Sequence, residues 1–176
     1  QIQVSLLAFK SGVSVAADVL EIGYDTHTYH ERDHTPLLGN STDAIDYLWT
    51  FAEELGLADR LVVVIGSDFG RTPYFNAADG KDHWPIGSFM VMEKNAAYTN
   101  QVLGETDGGH NTLPINPQTL EQDGFDGVII RPAHVHKALR RYLGIENNIV
   151  SQQFAFNNIE DFDFFKTIIE NINYDF

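Results

Sequence analysis

The stretch RLVVVIGSDFGRTP, residues 60–73, decides the fold class. Its continuous apolar run from Leu61 to Ile65 is typical of a parallel strand that is buried on both faces. The polar pair Ser67 and Asp68 follows directly at the carboxyl end of this strand. The sequence therefore predicts an interior strand whose carboxyl end opens onto polar, chemically capable side chains.

Apolar spacing on either side of this strand predicts the other elements. Helices are expected at 2–10, 36–57 and 133–143, strands at 13–23, 88–92 and 128–130, an amphipathic stretch at 159–172, and a long loop at 100–127. Gly12 and Gly144 are placed to end two of the helices, since glycine tolerates the left-handed conformation after a last turn. Pro36 suits the first turn of the second helix, or Ser41 and Thr42 cap a shorter version. The alternation of strands and helices predicts an α/β domain with a mainly parallel sheet.

The length and composition of the chain are typical of one acidic globular domain. The 176 residues include 25 Asp and Glu against 11 Lys and Arg, a net charge of −14 with neutral histidines. This charge argues against nucleic acid and anionic membrane surfaces as partners. There is no cysteine, so disulfides and thiolate nucleophiles are excluded, and no apolar run is long enough to span a membrane. The first residue is Gln, and we expect the sequence to be part of a longer protein.

Potential metal ligands cluster after the first predicted strand. The segment GYDTHTYHERDH, residues 23–34, holds five of them: Asp25, His27, His30, Asp33 and His34. Carboxylate and imidazole together suit Zn, Mn or Fe better than the all-oxygen cages of Ca or Mg. The alternative interpretation is that Asp25 is a loop former or cap, that the histidines form a solvated cluster, and that Asp33 and His34 are helix-entry residues.

A second group follows the strand at 61–66. Asp68 stands between Gly66 and Gly70, where a ligand can approach closely, and His83 is a further candidate ligand beside Trp84. Asp82 is a candidate ligand or a partner that orients His83. Arg71 offers a fork of donors for a tetrahedral anion, or alternatively forms a structural ion pair with nearby carboxylates.

These motifs resemble a known family. GYDTHTYH, LVVVIGSDFGRTPYFNAADGKDHWP and LGETDGGHNTLPINPQTL resemble, in that order, the carboxyl-terminal half of DUF1501 proteins, a bacterial group related to sulfatases and the alkaline phosphatase superfamily. The resemblance covers residues 1–145 and leaves 146–176 as an acidic, aromatic extension. It implies a doubly wound, alkaline phosphatase-like sheet, present here as an incomplete fragment, with a metal site on its carboxyl-terminal edge.

The resemblance also implies roles for individual residues. Asp25 with His27 or His30 forms the first ligand set, Asp68 the second, and His83 the later histidine, while Phe69 stands where the second set often has His or Asn. The divalent metal is expected to be Zn, Mn or Ca. The family's nucleophile lies amino-terminal to the matched region, so the amino-terminal remainder is an expected partner. Family members are commonly exported, which implies a periplasmic or secreted location.

Two functional hypotheses follow. The first is a metal-dependent hydrolase of sulfate or phosphate esters, with an anionic ester as substrate and Arg71 steadying its charge. The second is a binding or assembly module without turnover, in which the tail FDFFKTIIENINYDF, residues 162–176, docks on a partner or forms an oligomer. The simpler expectation for this tail is that it packs back on its own domain.

Overall fold

The computed structural model describes residues 1–166, which divide into two compact units. The first unit is Gln1–Asn95 and the second begins at Ala96. The boundary expected at residue 145 lies inside the second unit.

Two helices form the core of the first unit. Helix α1 spans Ile2–Lys10, as predicted, and Gly12 follows with φ of 73°. Helix α2 spans His30–Glu54, so it begins six residues before the predicted start and contains Pro36 in its interior. Leu6 of α1 packs with Ala52 of α2, and these side chains are 2% and 0% exposed. The early start places His30 and His34 on the first turns of α2.

The strands of the first unit form two small antiparallel sheets. A 3₁₀ turn at Ala58–Arg60 leads into β1, Val62–Gly66, and the later strands are β2, Gly70–Arg71, β3, His83–Trp84, and β4, Phe89–Glu93. β1 pairs with β4, with Val64 opposite Val91, and β2 pairs with β3.

The structure differs from the predicted sheet in the direction of pairing. Both sheets in residues 1–166 are antiparallel, and β1 is not covered on both faces, because Val64 is 43% exposed. A continuous apolar run indicates that a strand is hydrophobic, but it does not determine whether the neighbouring strand is parallel or antiparallel. The two small sheets are not the mainly parallel, doubly wound sheet that was expected, and the alkaline phosphatase-like fold class stays a prediction.

The strand predicted at 13–23 is wrong. This segment has no regular secondary structure, and its β-branched side chains are exposed, Val13 by 82%, Val15 by 98% and Ile22 by 75%. Alternation of apolar residues stabilises a strand only where a neighbouring strand accepts its backbone hydrogen bonds, and no ladder includes these residues.

Within residues 96–166, the second unit combines a long irregular stretch with two helices. α3 spans Pro132–Tyr142, one residue earlier than predicted, and α4 spans Ile149–Gln153. The stretch at 100–127 is a loop region with isolated bridges, and the strand predicted at 128–130 is reduced to one bridge between Val128 and Ile115.

The described part of the carboxyl-terminal extension packs within the second unit. Phe162 is 1% exposed and forms a core with Ile115 and Leu120. Residues 159–166 are not helical, and the rest of the predicted stretch at 159–172 lies outside the described residues. In residues 1–166 no helix has both the length and the apolar character that crossing a membrane requires.

Candidate metal centre

Two segments of the first unit lie side by side and carry the site. The Lys81 amide donates to the Thr26 carbonyl at 3.1 Å, and the Asn76 side-chain amide donates to the His27 carbonyl at 3.0 Å. Gly80 permits this approach, since a Cβ at that position would lie 1.8 Å from the His27 carbonyl oxygen. The segment after residue 23 is thus held against the segment that leads into β3.

The short β2–β3 ladder brings Arg71 and His83 to the same place. These residues are direct partners in the antiparallel register, and opposite residues of such a pair present their side chains on the same face. The Phe69 ring stacks on the His83 ring with centroids 3.8 Å apart, and the His27 ring lies beside His83 with centroids 4.7 Å apart. Phe69, which the resemblance placed where ligands often occur, therefore packs against a candidate ligand.

Asp25 lies at the centre of the cluster. Its Oδ1 atom lies 3.0 Å from His27 Nδ1, 3.0 Å from His83 Nε2 and 2.8 Å from Arg71 Nη2. The Asp25, His27 and His83 side chains are 68%, 46% and 49% exposed, whereas Arg71 is 13% exposed. The cluster therefore has a solvent-facing side formed by carboxylate and imidazoles, and a buried side formed by the guanidinium.

Charge around Asp25 keeps its carboxylate ionised. The hydrogen bond from Arg71, then the one from His83, and the charges of His27 and Arg71 lower the pKa of Asp25 to about 2. At neutral pH the site consequently presents a permanent anion between two imidazole rings.

His30 lies outside this cluster. Tyr29 has the left-handed φ of 46° and turns the chain into α2, so His30 instead contacts Thr26 Oγ1 through Nδ1 at 2.6 Å and stacks on His34. Burial, followed by the charges of His34, Lys81 and Arg71, lowers the pKa of His30. The surroundings of His30 therefore favour the neutral form of its imidazole.

Asp68 and Asp82 also lie outside the cluster. The Asp82 carboxylate accepts a hydrogen bond from the Asn76 side chain at 3.0 Å, and its backbone carbonyl accepts from the Thr72 amide. Asp68 is exposed after β1. Of the expected metal ligands, the structure thus brings together Asp25, His27 and His83, and it adds Arg71 to them.

Several residues that hold the site together were not predicted from the sequence. Asn76, Gly80 and Thr26 hold the two segments together through the contacts above. Gly80 precedes the predicted ligands at 82 and 83, which is a weak signal for close backbone approach. Nothing in a single sequence identifies the partners of Asn76 or Thr26.

The donor set fits a divalent transition metal. One ligand atom from each of Asp25, His27 and His83 lies within 4.8 Å of the others, the one such group of three or more in residues 1–166. Two imidazoles with one carboxylate make up protein zinc sites that keep an open coordination position. Ligation of a cation through His27 Nδ1 and His83 Nε2 requires that neither of these two nitrogens carries a proton.

Comparison with known proteins identifies the family of the chain. A family model described as "Protein of unknown function (DUF1501)" matches residues 4–138. No curated protein and no solved structure matches the chain.

Proposed function

Since the chain belongs to the DUF1501 family, whose description assigns no activity, we propose from the site itself that it is part of a metal-dependent hydrolase of sulfate or phosphate esters. The observation that carries this proposal is the convergence of His27 Nδ1 and His83 Nε2 on Asp25, each 3.0 Å from the carboxylate oxygen. The wider placement in the sulfatase-like alkaline phosphatase superfamily belongs to the same proposal.

The chemistry of the cluster supports a catalytic cation site over a structural one. Structural zinc sites are closed by four protein ligands, whereas this cluster offers a carboxylate and two imidazoles on an exposed face. A divalent metal held there supplies polarisation of an ester oxygen and a lowered pKa for a nucleophile. Zn and Mn suit the mixed donors better than Ca, which prefers oxygen ligands alone.

The protein side chains have separate roles in this proposal. Asp25, His27 and His83 hold the cation, and their exposed faces leave room for an anionic ester. Phe69 packs flat against the His83 ring and restricts its orientation. On the family resemblance, we also propose that the amino-terminal part of the family fold supplies the nucleophile and is a partner of these residues, and that the protein is periplasmic or secreted.

Turnover by the whole protein tests this proposal. We expect metal-loaded protein to hydrolyse p-nitrophenyl sulfate or p-nitrophenyl phosphate, and we expect Asp25→Asn to abolish the reaction because it removes the anionic ligand. Asp126→Asn, which alters an exposed aspartate of the second unit, is the matched control and should keep wild-type activity. Equal rates in wild type and Asp25→Asn would contradict the assignment.

The alternative, a binding or assembly module without turnover, gains less support. Phe162 is buried and Phe165 stacks on Tyr142 with centroids 4.4 Å apart, so the described part of the tail is engaged within its own unit. Docking or oligomer formation through the tail would involve residues 167–176, which lie outside the described residues. Deleting 167–176 and measuring sedimentation tests this alternative, which requires a change in assembly.

A further inference from the structure

Arg71 is the most buried member of the cluster, and three of its N–H groups donate hydrogen bonds to protein oxygens. Nη2 donates to the Asp25 carboxylate at 2.8 Å and to the Tyr24 carbonyl at 2.7 Å. Nη1 donates to the Lys81 carbonyl at 2.9 Å. The guanidinium carbon lies 5.3 Å from the centre of the Phe69 ring.

These contacts join the two segments that carry the ligands. Tyr24 directly precedes Asp25, and Lys81 lies two residues before His83. One guanidinium therefore fixes the backbone beside each ligand, while its third contact orients the carboxylate itself. The Lys81 amide to Thr26 carbonyl bond lies across the same junction, at 3.1 Å.

The same contacts disfavour binding of the substrate anion by Arg71. Recognition of a tetrahedral anion by an arginine fork uses two parallel N–H groups from one edge of the guanidinium. Both terminal nitrogens of Arg71 already donate to protein oxygens, and the side chain is 13% exposed.

We propose that Arg71 is a positioning residue, which locks the two ligand-bearing segments together and orients Asp25 for the cation, and that it does not bind the substrate anion. This inference rests on the proposed function in assigning a cation to the cluster. It replaces the expectation that Arg71 steadies the charge of the transferred group.

The variants Arg71→Lys and Arg71→Gln test the proposal. Lysine keeps the positive charge but presents a point donor in place of the planar fork, so it should not restore the contacts to both carbonyls. Arg32→Gln is the matched control, because Arg32 is 66% exposed and pairs only with its neighbour Asp33 among the ion pairs of the described residues.

Three measurements separate positioning from anion binding. Zn²⁺ affinity, from competition with a chromophoric chelator, should fall about 10- to 100-fold in both Arg71 variants, as is typical when residues that orient metal ligands are changed. Hydrogen exchange at the Lys81 amide should accelerate, while the β1–β4 amides keep wild-type protection. Binding of inorganic sulfate and phosphate to zinc-loaded protein, measured at saturating Zn²⁺, should be unchanged.

Two outcomes would overturn the inference. Wild-type Zn²⁺ affinity in the Arg71 variants would show that Arg71 does not prepare the site, and weaker anion binding with an unchanged Lys81 amide would make it an anion ligand. Absence of zinc binding by wild type would count against the proposed function, whereas the exchange rate of the Lys81 amide would still decide whether Arg71 holds the segments together.

Discussion

Replacing Gly80 by alanine is a direct test of how the site is assembled. An added Cβ would lie 1.8 Å from the His27 carbonyl oxygen, 2.0 Å from its carbon and 2.5 Å from the Thr28 nitrogen. Real Cβ contacts do not fall below 3.0 Å, so the backbone beside His27 must retreat by at least about 1.2 Å.

A displacement of this size is large compared with the tolerance of a metal site. Ligand distances in protein metal sites hold to within about 0.2 Å, so His27 can no longer converge on the same point as Asp25 and His83. We expect Gly80→Ala to weaken Zn²⁺ binding by about 10- to 100-fold, the range found when groups that support metal ligands are altered.

Zinc titration in competition with a chromophoric chelator measures this change. Gly124→Ala is the matched control, because a Cβ at Gly124 meets nothing within 4 Å. The Lys81 amide, which donates to Thr26 across the same junction, should exchange faster in Gly80→Ala. Wild-type zinc affinity together with wild-type exchange at Lys81 would refute the assembly described here.

Three further predictions address the rest of the molecule. His30→Ala should leave zinc stoichiometry at the wild-type value, because His30 contacts Thr26 and His34 outside the cluster; loss of zinc, seen by mass spectrometry of the metal, would place it among the ligands. Phe162→Ala should destabilise the second unit by about 3–5 kcal/mol in denaturant unfolding, because it leaves a cavity where a buried ring was. The control Phe125→Ala changes a 99% exposed ring and should have little effect. Equal small effects of the two substitutions would argue against the described core. The hydrogen bond from His134 lowers the pKa of Glu160. The ionised carboxylate therefore stabilises the folded state above its unfolded pKa of about 4.5, and this stability is lost as the pH falls through the lower folded pKa. The difference in melting temperature between wild type and Glu160→Gln should shrink as the pH falls through the folded pKa, and a constant difference would exclude this contribution.

Local patterns predicted the helices well because their information is local. The spacing of apolar residues in α1, α2 and α3 identifies a buried face without reference to distant sequence. The start of α2 was misplaced because Pro36 is also tolerated inside this helix, and because Tyr29 adopts a left-handed φ that sequence seldom signals for tyrosine.

Strand pairing was harder to predict because it depends on distant partners. Residues 13–23 carry the alternation of a strand but pair with no ladder among the described residues. The run at 62–66 was correctly predicted as a strand, yet its antiparallel partner β4 lies beyond the whole β2–β3 hairpin. The local sequence does not show that residues 13–23 have no partner strand in residues 1–166, or that β1 pairs with β4.

The candidate ligands were visible in the sequence, but their grouping was not. Asp25 and His83 are 58 positions apart, and only the fold shows that they meet. His27 and His30 are only three residues apart in the sequence, but the left-handed turn at Tyr29 lies between them, and only His27 reaches the cluster. Arg71 was predicted as an anion ligand or an ion-pair partner, and its contact with Asp25 matches the second of these alternatives.

Metal stoichiometry of the purified protein tests the central claim most directly. After removal of bound metal and dialysis against Zn²⁺, we expect about one zinc per chain in the wild type and in the control His136→Ala, an exposed histidine of the second unit, as one three-ligand cluster implies. Asp25→Ala and His83→Ala should each lose this zinc. Stoichiometric zinc retained in both variants would contradict the assignment of Asp25, His27 and His83 as a metal centre.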